Sequence, residues 1–261
     1  MKKTLLNAIP DDFPCSAREL TMNAKIYDSS CSPEARVYFV DKDDGYYIKK
    51  AKLETLKKEA EMTSYFHGKG LGTNVVAYIS DSYDWLITAK VQGEDCTHMA
   101  YLDNPKRLCD TIATELRALH ELAFSDCPIQ DRLSDYFSLA EENHRKNLYD
   151  TTLFTDDFIF SSAEEAYREF SQGKEALKSE VLLHGDYCLP NIILDNWRLS
   201  SFIDLGNGGV GDRHIDVFWG IWTLQFNLKT NKYKNRFIDA YGRDKIDEEL
   251  LRVIAAAEVF G

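Results

Sequence analysis

One stretch limits what this chain can become: Val181 to Asp204, reading Val-Leu-Leu-His-Gly-Asp-Tyr-Cys-Leu-Pro-Asn-Ile-Ile-Leu-Asp-Asn-Trp-Arg-Leu-Ser-Ser-Phe-Ile-Asp. The apolar run Val181 to Leu183 predicts a short buried strand ending at His184, and the loop after it carries Asp186 and Asn191 five residues apart. Ile192 to Leu194 and Leu199 to Ile203 are β-type runs around Asp195-Asn196-Trp197-Arg198, a pattern that predicts an antiparallel hairpin. Asn191 then belongs at one open end of the hairpin and Asp204 at the other. An amide oxygen and two carboxylates gathered in this way suit a hard cation such as magnesium, which takes oxygen ligands and commonly shares one or two carboxylates with substrate phosphates.

The spacing His184-Gly185-Asp186-x-x-x-x-Asn191 matches the His-Arg-Asp-x-x-x-x-Asn loop of protein kinases except for glycine in place of arginine. In that loop the aspartate takes the proton of the attacking hydroxyl, and the asparagine and a later aspartate hold magnesium. The longer pattern is more specific. His-Gly-Asp-x-Cys-Leu-Pro-Asn-Ile, then a hairpin, then Phe202-Ile203-Asp204-x-Gly206, then Asp212-Arg213-x-x-Asp216, resembles the catalytic core of the aminoglycoside 3'-phosphotransferases, the kanamycin kinases. The resemblance runs from about Ser32 to Phe260 and is strongest from His184 to Asp216.

That resemblance implies an α+β, two-lobed protein-kinase-like fold. A β-rich nucleotide-binding lobe covers residues 1–88, a connector residues 89–93, and a mainly helical lobe with the catalytic loop and acceptor site residues 94–261. It implies ATP and magnesium (Mg2+) as cofactors, with ATP bound between the lobes, Asp186 as the catalytic base, and Asn191 and Asp204 as metal ligands. Ser32, in the serine-proline turn Ser29-Ser30-Cys31-Ser32-Pro33, falls where the family covers the nucleotide phosphates. Lys49 and Glu59 correspond to the strand lysine and helix glutamate that kinases pair at those phosphates. Lys50, Glu54 and Glu61 compete with them by position. Tyr47 corresponds to the adenine-stacking position, and Ala89 and Val91 to the connector residues whose main-chain atoms meet adenine.

The residues outside the core stretch agree with two regions. Arg36 to Val40 and Tyr46 to Lys50 flank the turn Asp41-Lys42-Asp43-Asp44-Gly45 as a second hairpin, and Asn74 to Ile79 and Trp85 to Thr88 complete a small sheet. From Pro105 onward the period changes. Leu108, Ile112, Leu116 and Leu119 mark one face of an amphipathic helix ending at His120, a histidine read as structural because it has no partner nearby in sequence. Ser161-Ser162-Ala163-Glu164-Glu165 is a capping box that opens another helix.

A net charge of −12 disfavours nucleic acid and anionic membrane as partners and permits a cationic ligand. Six scattered cysteines without a Cys-x-x-Cys pair fit a reducing, cytoplasmic setting. Asn7, Pro10, Asp11 and Asp12 interrupt the apolar start, so no signal peptide is expected, and no run has the length of a membrane span. The run Gly206-Asn207-Gly208-Gly209-Val210-Gly211 satisfies Gly-x-Gly-x-x-Gly, but no acid-ended strand follows about twenty residues on, so a dinucleotide fold is set aside.

The acceptor end departs from the family pattern. Kanamycin kinases end in two acids and two aromatics that line the drug pocket, whereas this chain ends Ala257-Glu258-Val259-Phe260-Gly261. Asn207 stands where the family has arginine, and a family acid in the next helix falls near Phe226. The expected acceptor residues are Glu258, Phe260 and the loop acids Asp156 and Asp157, serving a small cationic amino sugar or amino alcohol with narrower range or weaker affinity than the family norm. The expected assembly is a monomer or weak dimer. A kinase of another amino alcohol or sugar, and an inactive nucleotide-binding regulator, stay open at this point.

Overall fold

The computed structural model describes every residue except 1, 2, 9, 11, 32, 34 and 154–159. Ser32, Asp156 and Asp157 therefore lie outside the described residues. In chain order the elements are β1 (Thr4–Leu5), α1 (Cys15–Thr21), β2 (Lys25–Asp28), β3 (Arg36–Asp41), β4 (Tyr46–Ala51), α2 (Lys57–Gly68), β5 (Val75–Ser80), β6 (Asp84–Ala89) and β7 (Glu94–Asp95). Then come α3 (Met99–Leu102), α4 (Pro105–His120), α5 (Arg132–Arg145), α6 (Ala163–Gly173), β8 (Val181–Leu183), β9 (Ile192–Asp195), β10 (Arg198–Phe202), β11 (Gly209–Gly211), α7 (Arg213–Leu228), α8 (Lys234–Tyr241) and α9 (Glu248–Glu258). The chain divides into two compact units, Met1–Asp95 with Ile193–Gly206, and Cys96–Ile192 with Asn207–Gly261.

The first unit is built on a six-stranded sheet of order β1-β2-β3-β4-β6-β5. Strand alternation decides its two faces. Tyr38, Val40 and Ile48 point to one side and pack with Trp85, Ile87, Phe13 and Ala17 in a buried cluster, each large apolar side chain contributing ~1.5–3 kcal/mol of burial. Tyr47 and Lys49 share the opposite face of β4. The strands β1 and β2 and helix α1 extend the expected sheet at its N-terminal edge.

The predicted hairpin forms as β9 and β10, joined by Asn196 and Trp197, both left-handed at φ 50° and 68°. Two left-handed residues are what a two-residue turn needs to match strand twist. The strand β7 adds to the same small sheet through Glu94 opposite Leu194 and Asp95 opposite Ile193. Gly93 makes this pairing possible: its φ is +106°, and a Cβ there would stand 2.3 Å from the Leu194 carbonyl oxygen.

The second unit is mainly helical. Leu108, Ile112, Leu116 and Leu119 are buried along α4, which starts with Pro105 in its first turn, where a missing N–H costs nothing. Ser162 caps α6 by accepting the Glu165 N–H at 3.1 Å, and Glu165 reciprocates by accepting the Ser161 N–H at 2.6 Å. Gly209–Gly211, the end of the glycine-rich run, is no phosphate loop but β11, paired antiparallel with β8. Among the described residues, no helix is long and apolar enough to cross a membrane.

Candidate active site

In the first unit, the period of β4 and the fold of α2 converge on one ammonium group. Lys49 Nζ donates to Glu59 Oε2 at 2.7 Å and to Asp204 Oδ1 at 2.8 Å. Glu59 is buried on the inner side of α2 beside Ala60, Met62 and Thr63. Burial works against the charge on Lys49, but the Glu59 and Asp204 carboxylates outweigh it and hold the ammonium above its usual pKa. Two of the three rival charges, Lys50 and Glu61, are engaged elsewhere. Lys50 is bonded to Asp12 and lies 3.6 Å over the Tyr83 ring, and Glu61 is within 4.0 Å of Lys57. Asp204 itself is half exposed and left-handed at φ 58°, a conformation aspartate tolerates better than most residues.

Tyr47 lies half-buried on the Lys49 face with its ring 5.2 Å from Phe39. Burial and the nearby Glu94 and Asp95 carboxylates push its phenol up to about 12. At the end of β6, the Ala89 N–H is donated to Asn74 O at 2.9 Å and its carbonyl accepts the Thr73 hydroxyl. The Ala89 amide N–H is therefore spent inside the unit, and of its main chain the carbonyl's second lone pair is what is left for adenine. Val91 lies in the bend beyond.

In the second unit, the loop after β8 is fixed by a buried carboxylate. Asp216 Oδ2 accepts the His184 N–H at 2.7 Å and Oδ1 accepts the Gly185 N–H at 2.8 Å. His120 Nε2 lies 3.1 Å from Asp216 Oδ2, and its Nδ1 lies 2.8 Å from Tyr241 Oη. The helix-end histidine thus does have a partner, 96 residues away in sequence. The Asp186 N–H donates to His184 Nδ1 at 3.2 Å, which requires the Nε2–H tautomer. Asn191 Nδ2 donates to Asp186 O at 3.0 Å and to Asp186 Oδ2 at 2.8 Å.

This geometry gives Asp186 a defined carboxylate orientation, as a general base requires. It also leaves Asn191 Oδ1, which this bond does not use, as the oxygen available to a cation. Asp204 likewise keeps Oδ2 outside its bond to Lys49. Both are hard oxygens of the kind magnesium accepts.

Residues 33–254 match the model of the APH phosphotransferase enzyme family. The chain belongs to the aminoglycoside phosphotransferase family. This phosphotransferase is 52% identical over 252 residues to a probable aminoglycoside 3'-phosphotransferase of Lactococcus lactis, covering 96% of each chain. Its fold, the protein-kinase-like fold of the aminoglycoside kinases, matches the crystal structure of a type VIII aminoglycoside-3'-phosphotransferase with TM-score 0.79 and 23% identity, over 94% and 97% of the two chains. A Streptomyces rimosus aminoglycoside phosphotransferase, solved with ADP and streptomycin, matches with TM-score 0.72 and 21% identity over 86% and 90%.

Glycine at the kinase arginine position has a local reason in this phosphotransferase. Gly185 has φ +86°, and a Cβ there would lie 1.9 Å from the Asn207 carbonyl oxygen. Asn207, in turn, is held by Arg132 of α5, whose Nε donates to its carbonyl at 2.9 Å and whose Nη2 donates to its Oδ1 at 3.1 Å.

The acceptor residues sit deeper than expected. Glu258 is 7% exposed, and its Oε1 accepts both Tyr136 Oη at 2.9 Å and Trp219 Nε1 at 3.0 Å. Burial pushes its carboxyl up to about 7 against those two hydrogen bonds, and the Asp186 charge adds to the rise. Phe260 is fully buried and packs edge-on against His144, Tyr149 and Tyr167, so its ring anchors the C-terminal turn. Sequence reasoning missed Arg132, Tyr136 and Trp219. Each acts through a partner 39 to 122 residues distant, which no local pattern encodes.

Proposed function

We propose that this enzyme transfers the γ-phosphate of ATP to a hydroxyl of an aminoglycoside, the 3'-hydroxyl, and so confers resistance in the cytoplasm where ATP is available. The observation that carries the reading is the Asp186–Asn191 pair, held on a loop whose two preceding amides are clamped by Asp216. The 52% identity to a probable aminoglycoside 3'-phosphotransferase supports the acceptor class.

In this reading Asp186 orients the acceptor hydroxyl and takes its proton as the oxygen attacks the γ-phosphorus in line and ADP departs. Such a base contributes ~10²–10⁴-fold, and the remaining rate gain comes from positioning and charge neutralisation. Lys49, kept protonated by Glu59 and Asp204, contacts the nucleotide phosphates. Ser32, Tyr47 and the main chain of Ala89 and Val91 complete the nucleotide contacts. Asn191 and Asp204 are the residues that would hold magnesium. When bound, that ion supplies charge neutralisation at the β- and γ-phosphates. Glu258 and the acids Asp156 and Asp157 serve the acceptor's ammonium groups, and Phe260, packed against His144, Tyr149 and Tyr167, belongs to the same acceptor end.

Expression in a sensitive bacterium tests the proposal. Growth at aminoglycoside concentrations that stop the host, lost on Asp186→Ala, is the expected result. Equal sensitivity with and without the gene, at confirmed protein levels, would overturn the resistance function.

A further inference from the structure

Helix α7 touches the catalytic loop twice. Asp216, in the first turn of the helix, accepts the His184 and Gly185 N–H groups at the start of the loop. Thr223 lies seven residues further on, two turns and ~10 Å along the same side of the helix. Its buried hydroxyl accepts the Leu189 N–H at 3.1 Å, at the far end of the loop. The segment that carries Asp186 is therefore pinned to one helix both before and after the base.

Counting hydrogen bonds shows where the Thr223 proton goes. A hydroxyl offers two lone pairs and one donor. The lone pairs of Thr223 take the Leu189 N–H and, at 3.2 Å, Asn227 Nδ2, which also donates to the Thr223 carbonyl at 2.8 Å. The hydroxyl proton is left for the Cys188 sulfur, and the Cys188 thiol in turn donates to the Asp186 carboxylate. Burial, with the Asp186 charge adding to it, keeps that thiol well above its usual pKa, so it retains the proton it donates. Every step from Asn227 through Thr223 and Cys188 to Asp186 thus runs donor to acceptor in one direction.

The Cys188 main chain is fixed as well. Its N–H donates to the Asp186 carbonyl at 2.8 Å, and its carbonyl accepts the Asn191 N–H at 2.9 Å. The Asp186 carboxylate already receives Asn191 Nδ2 at 2.8 Å. One donor leaves a carboxylate free to pivot about that contact, whereas a second sets its plane. A thiol is a weak donor, so it orients the base while withdrawing little of the basicity that proton abstraction needs.

We propose that Thr223 and Cys188 are positioning residues for the phosphoryl transfer, a relay from α7 that acts with Asn191 to hold the Asp186 carboxylate in the plane from which it meets the acceptor hydroxyl. The proposal rests on the reading of Asp186 as the base. Both side chains act through Asp186 and not on a substrate.

Steady-state and single-turnover kinetics of Thr223→Val, Thr223→Ser and Cys188→Ala test the relay, with melting curves to confirm that each variant folds. Thr223→Val removes the hydroxyl and should lower kcat about tenfold, the cost of a small misplacement of the base, while the KM for ATP stays within about twofold. Thr223→Ser keeps the hydroxyl and should restore kcat. Cys188→Ala should lower kcat about as much as Thr223→Val, and the double variant should lose less than the product of the two separate losses. Wild-type kcat in Cys188→Ala, equal losses in Thr223→Val and Thr223→Ser, or fully multiplicative losses in the double variant would overturn the relay. Should Thr223→Val fail to fold, the kcat of Cys188→Ala decides. No acceptor-dependent ADP release by wild type would overturn the phosphotransferase reading itself, and the relay's role with it.

Discussion

The Asn191 side-chain amide donates to the Asp186 carboxylate at 2.8 Å, across five residues of a single loop. One bond thereby orients the base and commits the nitrogen of Asn191, so that its oxygen is the atom left for a cation. Asp186→Ala should lower kcat by ~10²–10⁴-fold while leaving ATP affinity within about twofold, because the carboxylate acts on the acceptor hydroxyl. Single-turnover kinetics and ATP titration calorimetry check this. Near-normal turnover would remove Asp186 from the chemistry.

Lys49 bridges two carboxylates, and its ammonium is stabilised by both. Its raised pKa means that the stabilisation from these contacts is complete at neutral pH and is lost only as pH climbs beyond the ordinary lysine range. Lys49→Met should raise the KM for ATP roughly 10- to 100-fold, the worth of a charge-assisted hydrogen bond. It should also lower thermal stability, since Glu59 is left buried without its cation. ATP saturation curves and melting curves measure the two effects separately.

Asp216 accepts the N–H groups of His184, which is buried, and Gly185, which is half-buried, at the base of the loop. Asp216→Ala strands them at a cost of ~1–3 kcal/mol each. A melting temperature lower by several degrees is expected, together with a fall in kcat larger than the change in KM for ATP. A variant with wild-type melting and wild-type kcat would show that the clamp is dispensable.

Glu258 supplies a pH dependence. Burial raises its pKa from the ordinary carboxylate value to about 7, so the native protein holds this proton more tightly than the unfolded chain does. Stability should therefore fall as pH rises from about 4.5 to 7, by at most ~3 kcal/mol, and Glu258→Gln should flatten that slope. The KM for a cationic acceptor should fall as pH passes about 7 and the carboxylate ionises. Denaturant midpoints and acceptor KM, both followed from pH 5 to 8.5 in wild type and Glu258→Gln, test both effects.

Much of this was legible because the decisive information is local. The β9–β10 turn, the Pro105 start of α4 and the Ser162 cap of α6 each depend on residues within a few positions of one another. The spacing put Asp186 and Asn191 on one loop, but the bond from Asn191 Nδ2 to the Asp186 carboxylate was not foreseen. The pairing of β7 with β9 was not legible, since the two-residue strand Glu94–Asp95 has no period to read and depends on Gly93. Nor could spacing link His120 to Asp216, or Tyr136 and Trp219 to Glu258. Those contacts are made by separate helices of the second unit, whose packing is set by apolar faces that do not specify which polar groups will meet.

The most direct test of the phosphotransferase reading is ADP release by the purified enzyme with ATP, magnesium and a panel of aminoglycosides, with the product's phosphate located by NMR. The expected result is acceptor-dependent ADP release, one phosphate per acceptor on the 3'-oxygen, and loss of both signals in Asp186→Ala. ADP release no greater with any aminoglycoside than with ATP alone would contradict it.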